Sequence, residues 1–500
     1  MGQISLDHKI AAKGTVGTDA AVPALTQDIE PPLYESHRKV YPQSVRGTYR
    51  TIKWIVLIIT LGVYYFLPFV RWDRGPNASD QAVLIDFPAR RFYFFFIEIW
   101  PQEFYYLTGL LVLAALILFL MNAVAGRVWC GYLCPQTVWT DLFVMVERFF
   151  EGDRRQRQIT DAGPWTARRI AAKTGTHSVW LLISAGMGGA WVLYFADAPT
   201  LLREVFTGTA PVTAYFWIAG LTATTYLLAG FMREQVCIYM CPWPRIQAAL
   251  TDEDALNVTY RYDRGEPRGS VKKNEQLRLA GQPAGDCVDC FQCVNVCPTG
   301  VDIRDGSQLG CIQCGLCIDA CDTVMRKIGR PIRLIGYDTE VNVKRRIAGL
   351  TPAIRLIRVR TLLYLAMIAL IGGAMTYTLA TRHSIALNAL HDRNPVFVRL
   401  ADGGIRNAYT LRIINKDLGP RELRLTLDGL PEGSIEIVGV PTRDHNTIAI
   451  GPDQTLETRV LLTSNKRPLP ASLPVTFTIT DTQTGERAQA HDHFRAPEKM

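Results

Sequence analysis

Five stretches of this chain run for about the thickness of a bilayer without a charged residue: 54–70, 104–126, 178–196, 205–232 and 361–381. A helix that crosses a membrane needs about 20 mostly apolar residues, and each stretch comes close to that or exceeds it. In the shortest, 54–70, Trp54, Tyr64 and Tyr65 suit interfacial anchoring. A single such stretch is compatible with a buried helix of a soluble core. Five of them point to a membrane α-helical bundle of five transmembrane helices. The first 50 residues are polar, with no apolar h-region and no small-residue cleavage site, so no secretory signal is expected there.

The net charge is +8, from 54 Lys+Arg against 46 Asp+Glu, which raises the question of nucleic acid. The placement of the charge answers it. The loop 71–103 holds four Lys and Arg, and 197–204 holds one. The segment before Trp54 holds seven, 127–176 holds eight, and 233–360 holds 19. Lys and Arg collect on the cytoplasmic side of membrane proteins. The N-terminus and both basic loops are therefore expected in the cytoplasm, and the C-terminus outside. The basic cluster of Lys344, Arg345, Arg346, Arg355, Arg358 and Arg360 lies just before the last stretch, where contact with anionic membrane lipid is expected. No nucleic acid is expected as a partner.

All 12 cysteines lie between Cys130 and Cys321. Cys287, Cys290, Cys293 and Cys297 have the spacing C-x2-C-x2-C-x3-C-P. Cys311, Cys314, Cys317 and Cys321 repeat it with Asp322 in place of the proline. This is the iron–sulfur run of bacterial two-cluster ferredoxins, in which the fourth cysteine of each run serves the other cluster. Three thiolates on one tight loop reach three corners of a cubane, and the fourth corner is supplied from elsewhere. One [4Fe-4S] cluster is thus expected on Cys287, Cys290, Cys293 and Cys321, the other on Cys311, Cys314, Cys317 and Cys297. Two clusters close together mean electron relay.

The other four cysteines form two pairs, in VWCGYLCPQ and QVCIYMCPW. Both read C-x-Y-x-C-P, giving Cys130 and Cys134 after the second stretch, Cys237 and Cys241 after the fourth. The first four stretches therefore read as two copies of one helical hairpin. Parallel repeats pack about an axis along the membrane normal, which brings all four thiols towards one another. Side chains at i and i+4 share a helix face. Each pair is able to bind one ion or to cycle as a redox couple. Soft sulfur favours Cu(I), zinc and iron–sulfur clusters over hard cations. Haem is not expected: none of the eight histidines lies inside a charge-free stretch, and C-x-x-C-H is absent.

Residues 1–49 carry no sustained period and read as a flexible cytoplasmic arm. The aromatic run RFYFFFIEIWPQEFYY, from Arg91, reads as an interfacial segment at the outer face. Beyond His383 the period becomes two: Leu423, Leu425 and Leu427 alternate with polar residues, as do Val475, Phe477 and Ile479. Several short strands of this kind argue for a C-terminal all-β sandwich of Ig-like size.

Together these features resemble the cytochrome c oxidase accessory protein family, CcoG/FixG/RdxA, a group of membrane polyferredoxins. The stretches GRVWCGYLCPQTVWTDLF and ERFFEGDR are similar to it as well, and the likeness covers residues 35–500. The resemblance implies a role in assembly of the cbb3-type oxidase of the bacterial cytoplasmic membrane, as a cupric reductase. Cu(II) would be reduced to Cu(I) on the cytoplasmic side, with Cys130, Cys134, Cys237 and Cys241 as the site. Expected partners are copper ions, copper chaperones, oxidase assembly proteins and a second copy in a homodimer. Two other readings stay open: a quinol-linked electron carrier, and a redox-sensing assembly factor without turnover. The expected layout is 1–49 arm, 50–250 four-helix region with both C-x-x-x-C-P motifs, 251–360 cytoplasmic inserted ferredoxin-like domain, 361–381 fifth helix and 384–500 periplasmic sandwich.

Overall fold

A computed structural model of the chain describes residues 39–75, 78–417, 419–439, 442–443, 446–466 and 468–497. Among these, four helices are long and apolar enough to cross a membrane: Thr48–Phe69, Tyr105–Ala125, Val212–Met232 and Val359–Ala380. Their apolar side chains stay largely uncovered, with at most 17% of a span buried inside the protein. Water would not tolerate such a surface, and lipid requires it.

The stretch expected at 178–196 differs. It belongs to the 26-residue helix Ala167–Val192, which is not one of the four. The expected count of five rests on this helix. Arg168, Arg169, Lys173 and His177 occupy its first turns, and Ser184, Gly186, Gly188 and Gly189 dilute its apolar half. The small residues have a packing role. A Cβ on Gly188 would lie 2.8 Å from the carbonyl oxygen of Ile218, so only glycine lets the two helices approach this closely. Trp180 stacks on Phe143 of helix Pro135–Glu151, ring centroids 5.1 Å apart. Thr176, Trp180, Ser184 and Gly188 form one buried stripe along the helix, while Leu181 and Leu182 stay exposed.

These helices join two ends of the molecule, and the ends sort the loops as the Lys and Arg counts did. At the basic end, Asp319 accepts hydrogen bonds from the backbone N–H groups of Arg50 (2.8 Å) and Tyr49 (3.3 Å). It thereby caps helix Thr48–Phe66, whose own Ncap is Gly47. Asp141 pairs with Lys53 at 2.8 Å and Arg50 at 3.2 Å. Glu147 pairs with Arg157 at 2.7 Å and Arg233 at 3.1 Å, almost without solvent contact. The segment just before the first helix is held too. Tyr41 donates to Asp161 (2.9 Å), the Ser44 hydroxyl to Asp153 (2.6 Å), and Gln43 N–H to the Asn295 carbonyl (2.8 Å). The expected flexible arm 1–49 is therefore corrected over 41–49, which is a fixed strap. Its first 38 residues lie outside the described residues.

At the other end, the aromatic run is more than an interfacial segment. It folds, with the residues before it, into a three-stranded sheet of Val83–Asp86, Arg91–Phe94 and Ile97–Ile99. Ile85 N–H donates to the Tyr194 carbonyl (2.8 Å) and Gln81 to that of Leu193 (2.8 Å), fixing this sheet on the end of helix Ala167–Val192.

The C-terminal residues form two packed five-stranded sheets. One runs Gly433–Val438, Gln454–Ser464, Ile405–Asn415, Ile385–His391, with Val398–Arg399 beside Ile405–Asn415. The other runs Thr442–Arg443, Thr447–Ile450, Arg421–Asp428, Ser472–Asp481, Arg487–Arg495. The period-two residues point inward as expected: Leu423, Leu425, Phe477 and Ile479 are fully buried, with Leu425 opposite Ile479 in the ladder.

The sandwich is fastened to the small sheet by ions. Arg91 pairs with Asp453 and, at 3.1 Å, with Glu98; its guanidinium lies 4.1 Å from the Trp100 ring. Lys416 pairs with Glu103 at 2.6 Å. Burial, then the neighbouring Asp453 carboxylate, raises the Glu98 carboxyl from its ordinary 4.5 to about 7. A carboxyl whose folded pKa exceeds its unfolded one favours folding below the unfolded value and loses that contribution as pH rises to the folded one. Stability of the detergent-solubilised protein is thus expected to fall between about pH 4.5 and 7. Glu98→Gln should flatten the fall; an unchanged slope of thermal midpoint against pH would assign it elsewhere.

Candidate electron-transfer site

The ferredoxin-like insert leaves and rejoins the helical region through strands Asn257–Tyr260 and Ile335–Asp338, which pair antiparallel at its base. Two cavities lie above this base. Cys287, Cys290, Cys293 and Cys321 line one. Cys297, Cys311, Cys314 and Cys317 line the other, with Cys293 bordering both. The fourth cysteine of each run thus sits with the first three of the other.

The thiols report the same grouping electrostatically. Burial, then Cys293, Cys290 and Cys287, pushes Cys321 up to about 12. Cys317 is pushed well above the usual thiol range by burial, then by Cys314, Cys311 and Cys297. Such thiols bind metal with release of their protons, and dry apolar walls around a thiolate-held centre suit electron transfer. Among the described residues no three His, Cys, Asp or Glu side chains close around a single ion. A cubane spreads its thiolates over four corners and does not need them to. The eight cysteines and the two cavities fit two [4Fe-4S] clusters.

Of the other four cysteines, Cys130 packs with Ile312, Cys314 and Leu316 of the second cavity's wall. The internal repeat is visible in the backbone around them. Gly126 (φ 53°, ψ −125°) and Arg233 (φ 42°, ψ −112°) stand four residues before the first cysteine of each pair. Cys134 (φ −60°, ψ 126°) and Cys241 (φ −79°, ψ 124°) close each loop with the same extended turn. A proline follows each: Pro135 starts its helix, and Pro242 precedes helix Trp243–Leu250. Glycine adopts the positive-φ turn freely, whereas Arg233 is strained there. Its guanidinium holds it by donating to Gly230 O (2.8 Å) and pairing with Glu147. The second copy is also wound as π-helix, at Tyr226–Met232 and Val236–Met240, a form that often marks functional sites.

The repeat brings the pairs together. Cys130 is raised to about 12 by burial, then by Cys134 and Cys237, with Cys241 also acting on it. Cys237 is raised to about 12 by burial, then by Cys134 and Cys241. Cys130 is buried and donates to Gln247 Oε1 at 3.3 Å; the other three are partly exposed. The matching tyrosines diverge: Tyr132 is buried and donates to the Cys314 carbonyl (3.0 Å), whereas Tyr239 is 72% exposed.

Three residues that no motif announced complete the site. Arg127 donates to the carbonyls of Leu309 (2.6 Å) and Pro244 (3.0 Å), joining the cluster loop to both cysteine-pair segments. Gln313 Oε1 accepts from the Arg127 backbone N–H at 2.7 Å. Gln247 bridges Cys130 and Asn122.

Apolar helices carrying a two-cluster module against a further set of thiols define a membrane iron–sulfur electron-transfer protein. Comparison with known proteins agrees. A 4Fe-4S dicluster domain model matches residues 232–340, a 4Fe-4S binding domain model 107–151, and the model of the IG-like fold at the C-terminus of FixG 375–497. Nitrogen fixation protein FixG of Rhizobium meliloti (strain 1021) is 47% identical over 487 residues, 92% of this chain and 93% of that protein. Protein RdxA of Cereibacter sphaeroides is 53% identical over 80% of this chain and 84% of its own length, and protein RdxB of the same organism 46% over 87% and 90%. The chain belongs to the FixG/RdxA family.

Proposed function

We propose that the protein is a cupric reductase that turns Cu(II) into Cu(I) for delivery to the cbb3-type oxidase, with copper chaperones and oxidase assembly proteins as partners. The observation that carries this is the approach of soft thiols from both repeats to one another, with Cys130 packed against Ile312 and Cys314 of one cluster's loop. A sulfur site holds Cu(I) in preference to Cu(II), which favours electron acceptance by bound copper. Each copper takes one electron. The test is steady-state Cu(II) reduction by purified, anaerobically reconstituted protein with an excess electron donor. One stoichiometric oxidation without turnover would instead indicate a redox sensor, and dependence on a quinol a quinol-linked carrier.

The match of a 4Fe-4S binding model to 107–151, which holds only Cys130 and Cys134, favours a second reading. In it the four thiols hold a third cluster. About 12 iron atoms per chain rather than about eight would establish it.

The Lys and Arg distribution supports a cytoplasmic face for the cluster module and a periplasmic face for the sandwich. A reporter fused after Pro283 is expected to read cytoplasm, and one after Thr381 periplasm. Both on one side would mean that Val359–Ala380 does not count as a span, whereas a swap of the two readings would remove helix Ala167–Val192 from the count.

A further inference from the structure

Gly131 lies between the thiols of the first pair. A Cβ there would sit 2.8 Å from the carbonyl oxygen of Ile312 and 3.1 Å from both the Cα of Cys314 and the carbonyl oxygen of Gln313. The loop Cys130–Cys134 therefore rests backbone to backbone on the loop that carries Cys311 and Cys314. Cys130, Ile312 and Cys314 share one buried apolar cluster, so no water separates them there. Arg127 closes the contact from one side and the Tyr132 hydroxyl from the other. The opposite edge of the module is open: Cys290 is exposed, and its neighbour Phe291 is 48% exposed.

Building on the copper-reducing role above, we propose that Gly131 sets the electron exit of the module, and that Arg127 is the positioning residue that holds it. The absent side chain puts the Cys311–Cys314 loop in direct contact with the Cys130–Cys134 loop, with Cys130 in the shared apolar cluster. The exposed Cys290 edge is the entry, and it accepts one electron at a time from a reduced one-electron carrier protein. The balance is simple: the carrier is oxidised by one electron, one Cu(II) becomes Cu(I), and no bond or proton is transferred.

The test uses full-length protein, loaded with iron and sulfide and reduced by dithionite. Its oxidation is followed by stopped flow and freeze-quench EPR, with Cu(II) or with ferricyanide, which needs only the exposed edge. Gly131→Ala is expected to keep the iron content, EPR signals and midpoint potentials of the parent. Its oxidation by Cu(II) should slow severalfold, because the added methyl group forces the two backbones apart and electron transfer falls off with distance. Oxidation by ferricyanide should not change. Equal Cu(II) rates in variant and parent would overturn the proposal, as would equal slowing with both oxidants. A parent that Cu(II) does not oxidise removes copper reduction itself, a distinct outcome that takes this proposal with it. If Gly131→Ala does not retain iron, Arg127→Gln is read by the same criteria, with partial recovery expected in Arg127→Lys.

Discussion

With Cys237 and Cys241 both replaced by alanine, the protein is expected to keep about eight iron atoms and the absorbance of its clusters. Cu(II) reduction should nevertheless fall about a hundredfold or more, because even outer-shell changes at metal sites cost 10–100-fold and these are proposed ligands. The reason for expecting separate behaviour is geometric. The eight cluster cysteines line their two cavities without help from either pair. Cys130→Ala with Cys134→Ala should act alike, since each pair feels the thiols of the other. Loss in one double variant alone would separate the pairs into unequal sites. Full activity in both would mean that copper meets the cluster module directly. A fall from about 12 iron atoms to about eight in either would establish the third cluster, and a fall below about eight would make the pairs supports or ligands of the two clusters.

Cys321→Ala and Cys287→Ala should each cost the same cluster, and Cys297→Ala the other. Iron content should drop from about eight to about four per chain in each case. The informative readout is which EPR signal disappears. Cys321 stands in the second run, yet it lines the cavity of Cys287, Cys290 and Cys293. If Cys321→Ala matched Cys311→Ala instead, each run would hold its own cluster and the crossed arrangement would be wrong. The apolar walls make partial occupancy unfavourable: three thiolates around an incomplete centre leave buried charge unpaired.

The spans and the cluster ligands were legible in the sequence because each is a local pattern. A charge-free run or a C-x2-C-x2-C-x3-C spacing needs no knowledge of what lies opposite. Helix Ala167–Val192 was harder for the same reason: its glycines and serine make sense only against Ile218 and Thr222 of a neighbouring helix. The three-stranded sheet at 83–99 escaped because its strands are three or four residues long and dense in aromatics, which suits an interface equally well. Arg127 and Gln313 meet although 186 residues apart, and one arginine or glutamine among many carries no pattern. Asp319 lies inside the second cysteine run, where nothing local marks that its carboxylate caps the first helix. The repeat was readable from C-x-Y-x-C-P, but not the strain at Arg233, since in the first copy that position is a glycine.

The antiparallel strands Asn257–Tyr260 and Ile335–Asp338 carry a consequence for the order of biosynthesis. A chain emerging from the ribosome completes this base, and everything between its strands, before Val359–Ala380 exists. Domains generally fold as units, earlier ones first. The surfaces that receive the insert, at Arg127 and at the start of Thr48–Phe66, are by then already made. The last helix therefore joins a module whose base is already complete, and Arg358, arriving with it, pairs with Asp252 at 2.6 Å.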